Sequence, residues 1–167
     1  MTSILIQQLL NGLLDGVYYL LIALGLSLIF SLGGIVNLAH GAFYAIGAYL
    51  TTLIAPHIGY FGALVFSPIA VALIGVFLER YFFRPFYRSD PILSLLLTFG
   101  LAMVCEQALR MIFGAAPLSF AIPDSLRGQI FFGDFIYSKF RTFLLAIALV
   151  CLTLIWYLLS RTSFGRV

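Results

Sequence analysis

Four polar or charged side chains interrupt long apolar runs of this chain: Asn37, His40, Glu106 and Arg110. Such groups are costly at membrane depth and normally face a bundle interior or a water-filled path. Asn37 and His40 are three apart, so on a continuous helix they share a face. Three chemistries are open to them: hydrogen bonds across neighbouring helices, the lining of a translocation path, or proton relay and metal ligation. The last lacks support, because no second His, Asp or Glu has ligand spacing nearby. Gly33, Gly34 and Gly41 flank the pair and let the helix break or another backbone approach closely. With Ala45 and Ala48, Gly41 extends a small-residue stripe suited to tight helix packing in lipid.

Glu106 and Arg110 stand at i and i+4 with the acid N-terminal, the arrangement of a helical ion pair. They are expected to neutralise one another as a structural pair, with Arg110 near enough to Gly114 to snorkel to the interface. Glu79 and Arg80 are adjacent, so they point in different directions and are expected to meet headgroups or other helices rather than each other. Catalysis finds no footing. An intramembrane hydrolase needs a nucleophile beside a base, such as a Ser facing His40, and no Gly-x-Ser-x-Gly or metal motif occurs.

The elements that must position these groups follow from composition. Hydrophobic residues make up 63% and charged residues 9% of the 167, against about 25% charged in a soluble domain. Together with a mean hydropathy of +1.13, this places the chain in a bilayer. A hydrocarbon core ~30 Å thick needs roughly 20 apolar residues per helix, and five windows qualify: about 13–32, 35–55 (ending at Pro56), 61–78, 92–113 and 143–159. Helices are required, because lipid leaves every backbone amide to be satisfied within its own segment, and a barrel would show short alternating strands. The expected fold is an all-α polytopic transmembrane helix bundle of about five spans, one domain over 1–167. The first apolar stretch lacks a basic n-region and is too long for a signal peptide, so it is read as retained. Cys105 and Cys151 fall within spans and are read as packed thiols.

Basic residues near span ends stay cytoplasmic. No Lys or Arg precedes Arg80; Arg80, Arg84 and Arg88 then crowd the link between spans three and four, and Arg161 and Arg166 follow span five. This predicts the N-terminus outside, the Gly33-Gly34 link inside, and the Pro56 to Tyr60 link and the segment 114–142 outside. That external segment carries Arg127, Lys139 and Arg141 beside Asp124 and Asp134, a tolerable exception in a long loop. Leu118 to Ile122 and Gln129 to Tyr137 suggest short strands or an interfacial element, either a connector on the lipid interface or a surface for an external partner. The net charge of +3 is a topology signal; no basic groove interleaved with stacking aromatics points to nucleic acid.

Several runs in order carry a resemblance. They are Leu10-Asn11-Gly12-Leu13, Tyr19 to Leu26, Gly34-Ile35-Val36-Asn37-Leu38-Ala39-His40-Gly41 with Gly47-Ala48-Tyr49, Glu79-Arg80 with Arg84-Pro85, Thr98-Phe99-Gly100-Leu101, Phe113-Gly114, and Ser160 to Arg166. Along its entire length the chain resembles the membrane-spanning permeases of ABC importers for branched-chain amino acids, with their relatives for amides and urea. The resemblance implies a pathway subunit in the plasma (inner) membrane, not an enzyme, and no cofactor. It further implies a second permease subunit, two ATPase subunits on the cytoplasmic face, and an external substrate-binding protein. Asn37, His40 and Gly41 would then lie at or beside the path, with Gly33 and Gly34 permitting an irregular segment that lines a cavity. Arg84, Pro85, Gly165 and Arg166 would mark the cytoplasmic coupling side.

Family members are longer, with further spans and the main coupling helices beyond Val167, so the chain is expected to lack roughly the second half and not to couple transport to ATP alone. The rival expectations are a non-functional fragment or structural membrane subunit, and a channel or secondary transporter. The latter would show paired ionisable residues at mid-membrane or two discontinuous helices in corresponding positions, and one Gly-rich break is visible.

Overall fold

A computed structural model of the chain describes residues 2–34, 36–86, 90–116, 118, 120–132 and 135–161. Apolar content without strong periodicity gives helices that are apolar all round, as expected of segments surrounded by lipid. The described residues contain four helices long and apolar enough to cross a membrane: α1 (Thr2–Gly33), α2 (His40–Leu78), α3 (Pro91–Phe113) and α4 (Lys139–Arg161). The all-helical membrane bundle read from composition is therefore the fold observed.

A straight helix of 39 residues, the length of α2, would be roughly 58 Å long, about twice the bilayer core. α2 is not straight. Gly59 interrupts it with φ 78° and ψ 164°, a region essentially restricted to glycine. A Cβ placed on Gly47 would stand 3.5 Å from Cγ2 of Val71, so the halves 40–58 and 60–78 lie side by side as an antiparallel hairpin. Each half is roughly 28 Å long, near the thickness of the hydrocarbon core. α2 thus folds into two segments each long enough to cross a bilayer, with the reversal at Gly59 inside the expected link 56–60 and Pro56 accommodated within the helix.

The chain divides into two compact units, 26–120 and 1–25 with 121–167. In the first, the hairpin is tight because small side chains face inward: Ala63 and Ser67 are buried at helical spacing along one stripe, as close helix packing in lipid demands. The Ser67 hydroxyl is buried without a hydrogen-bond partner. A π-helical turn, Glu79–Phe83, and a 3-10 turn, Arg84–Phe86, end the hairpin. α3 then starts under an Asp90 cap that accepts the Ile92 N–H at 2.9 Å, with Pro91 at its first position, where the missing N–H costs nothing.

In the second unit, strands β1 (Gln129–Phe132) and β2 (Phe135–Ser138) pair antiparallel, Gln129 opposite Ser138 and Ile130 opposite Tyr137. Residues 129–132 and 135–138 are thus the paired strands, while the described residues of 118–122 form no strand. α4 begins at Lys139, directly after β2. Asn11 of α1 anchors this end: its Oδ1 accepts from the Tyr137 hydroxyl at 3.2 Å and from Nη1 of Arg141. Gln7 donates to the Ile136 carbonyl at 2.8 Å. Among the described residues, Leu14, Val17, Tyr137 and Ala148 are the buried apolar side chains of the unit. Cys105 and Cys151 are free thiols.

Candidate functional site

The site grows from the break between α1 and α2. α1 ends at Gly33, and Gly34 takes a positive φ of 64° while its N–H donates to the Phe30 carbonyl at 2.8 Å. The left-handed conformation is cheap for glycine and stops the helix. Before α2 can start, its first amides need acceptors, and Ala39 at the cap position offers no side-chain bond. Asn37 takes that role from two residues upstream, its Oδ1 accepting the Ala39 N–H at 3.0 Å in an Asx turn. Its carbonyl accepts the His40 N–H at 3.2 Å.

The break is held from α3 by Thr98, whose hydroxyl shares its single proton between the carbonyls of Val36 at 3.3 Å and Leu95 at 3.0 Å. Thr98 is 1% exposed and Asn37 7%. A backbone carbonyl released by the break is thereby given a donor at a buried position, where an orphan acceptor would cost about 1–3 kcal/mol.

Beneath the break lies a cavity of about 500 Å³. Ile29 and Gly33 form its wall on α1, Asn37 the break, and His40 and Phe43 the first half of the α2 hairpin. Val71, Gly75 and Glu79 come from the returning half, Phe83 from the π turn and Thr98 from α3. The hairpin register explains the gathering: about Gly59, residues 40 and 43 fall at the levels of 78 and 75. Asn37 and His40 do not share a continuous helix, because residues 36–39 are non-helical. The fold of the break nevertheless turns both toward one cavity. The outcome is an apolar chamber with a carboxylate, an imidazole, an amide and a hydroxyl spaced around its wall. It suits an apolar solute carrying a few polar groups.

The other residues singled out from the sequence lie elsewhere. Gly41 and the Glu106–Arg110 pair, 2.7 Å apart, line a second cavity. Arg84 and Pro85 are exposed on the 3-10 turn and line neither cavity. Arg88, Ile35, Gly165 and Arg166 fall outside the described residues. Among the described residues no three His, Cys, Asp or Glu side chains gather to hold a metal. Sequence reasoning did not single out Thr98, Gly75, Phe83 or Glu79 as site residues. A hydroxyl in an apolar span and a carboxylate at a span end were the available signals, but both are also common as lipid-interface or back-bonded residues.

Residues 8–167 match the family described as branched-chain amino acid transport system / permease component. Among individual proteins, the chain is similar to the high-affinity branched-chain amino acid transport system permease protein BraD of Pseudomonas aeruginosa, at 26% identity over 96% of this chain and 57% of BraD. It is also similar to the LivH permease proteins of Escherichia coli K12, at 27% identity over 74% of this chain and 43% of that protein, and of Salmonella typhimurium, at 26% over 77% and 44%. The chain spans about half the length of these relatives. No solved structure matches it.

Proposed function

We infer, because the chain belongs to the branched-chain amino acid transport permease family, that it is a transmembrane pathway subunit of an ATP-driven importer. The substrate class is the branched-chain amino acids named in its relatives; small amides and urea are the alternatives that an uptake assay separates. Its partners are a second permease subunit, two ATPase subunits on the cytoplasmic face and an external substrate-binding protein. The subunit itself forms no covalent bond with the solute.

The observation that carries this reading is the cavity beneath the α1–α2 break, where His40, Glu79, Asn37 and Thr98 stand in an otherwise apolar wall. Irregular backbone at membrane depth is tolerated where it is buried in protein or lines a cavity. Asn37 shapes the break, His40 meets the solute, and the glycines allow the segment to switch between arrangements. Transport follows when ATP-driven closure of the ATPase pair favours one arrangement over the other, the solute shifting the balance by its different contacts in each.

The N-terminus is outside, and the turn carrying Arg80, Arg84 and Pro85 is on the cytoplasmic side, where it, with Gly165 and Arg166, would meet the ATPases. The decisive experiment introduces His40→Ala into the natural gene and measures uptake of radiolabelled L-leucine. The expected result is lowered uptake with unchanged membrane insertion; wild-type kinetics would remove His40 from the mechanism. Arg84→Cys should react with an impermeant thiol reagent from the cytoplasmic face alone, and labelling from outside would reverse the topology.

A further inference from the structure

α3 stops short of the hairpin tip. Phe113, its last residue, stacks on Tyr49 with ring centroids 4.6 Å apart, whereas Phe120 meets Tyr60 at 5.6 Å. Tyr49 is midway along the half 40–58, roughly 14 Å of helix below the turn at Gly59. Gly114, with φ 84° and ψ 177°, therefore ends α3 beside the middle of that half, short of the hairpin tip that Phe120 reaches at Tyr60. Arg110 and Glu106 lie one and two turns inside that end.

The pair borders a cavity of about 440 Å³, with Ala42, Ala45 and Tyr49 opposite and the backbone of Gly114 and Ala115 above. Both charged side chains are more than half exposed. A salt bridge on an apolar helix persists where water or a polar ligand meets it. Charges of both signs beside small apolar side chains match one ligand chemistry: a zwitterion with an apolar tail.

We propose that the Glu106–Arg110 cavity is a second solute site, open to the external side, that binds an α-amino acid zwitterion. Glu106 receives the ammonium group, the Arg110 guanidinium grips the carboxylate in its planar fork, and the tail rests on Ala42, Ala45 and Tyr49. This rests on the reading of the chain as an amino-acid permease, but is tested apart from it.

In the natural assembly, with Cys105 and Cys151 replaced by Ala, Ala45→Cys should be labelled by an impermeant thiol reagent added outside. L-Leucine at millimolar concentration should slow labelling at least tenfold, while isocaproate, lacking the amine, and isoamylamine, lacking the carboxylate, should not. Glu106→Gln and Arg110→Gln should each abolish the protection. The exchanged pair Glu106→Arg with Arg110→Glu, which keeps the salt bridge and hence insertion, should abolish it too. No external labelling, equal protection by the two analogues, or full protection in the exchanged pair would overturn the site. Uptake of L-leucine, measured in parallel, reports on the permease reading separately: protection without uptake sinks that reading and leaves the site standing.

Discussion

Gly47 lies against Val71 across the α2 hairpin, with room for one methyl group at 3.5 Å from the valine Cγ2. Twelve positions on either side of Gly59, these two residues fix the register that stacks the whole site. The same register puts Thr51 at the level of Ser67 and His40 at the level of Leu78, one residue before Glu79. The hairpin is therefore the frame on which the break and both cavities are built.

Gly59→Ala attacks that frame. A side chain at φ 78°, ψ 164° costs about 1–3 kcal/mol, so the purified variant should unfold at lower temperature and L-leucine uptake should fall in step with its abundance. Gly47→Ala, by contrast, meets an ordinary van der Waals contact and should leave abundance unchanged. Thermal unfolding in detergent, followed by fluorescence, distinguishes the two.

Asn37→Ala removes the acceptor for the Ala39 N–H. The loss of such a cap is worth about 1 kcal/mol, and the break should loosen with it, lowering both stability and uptake. Asn37→Ser keeps a side-chain oxygen that can make the analogous turn and should recover most of the stability. If the alanine variant melts with the wild type, the Asx turn does not hold the break.

Thr98→Val keeps shape and removes the hydroxyl donor shared by Val36 and Leu95. The expected destabilisation is about 1 kcal/mol, with Thr98→Ser close to wild type. Faster hydrogen exchange of the amides at 36–39 in the valine variant would locate the effect at the break; unchanged exchange there would show that Thr98 does not anchor it.

Asn11→Leu deprives Tyr137 and Arg141 of their common acceptor. Loss of that shared acceptor costs about 1 kcal/mol, and the β1–β2 hairpin should become more open to protease added outside. Arg127, which is tied to Asp124 and to the Ile122 carbonyl, serves as the control: Arg127→Ala should leave cleavage within the hairpin at the wild-type rate, as expected for an exposed pair.

The break at Gly33-Gly34 and the apolar spans were legible because each follows from local chemistry: hydropathy over a window, and glycine where the helix stops. The signature Asn37 and His40 stood out because polar side chains are rare at such depth. Glu79 and Thr98 did not stand out as site residues, since a carboxylate at a span end and a hydroxyl in a span are satisfied in many ways, and choosing among them takes knowledge of the neighbours. The Glu106–Arg110 pair could be read from its spacing alone, but its place beside the α2 hairpin could not. Hydropathy counts residues from the end of the same helix, and says nothing of how far the next helix continues past that end.

The sequence by itself determined a helical membrane protein, the break before α2 and the ion pair on α3, because lipid forces every backbone amide into local hydrogen bonds and i,i+4 geometry is internal to a helix. Only the tertiary structure decided which groups share each cavity, and that α3 ends beside Tyr49. Those are relations of level between different helices, set by which small residues allow close approach across the hairpin, and no run of neighbouring residues encodes them.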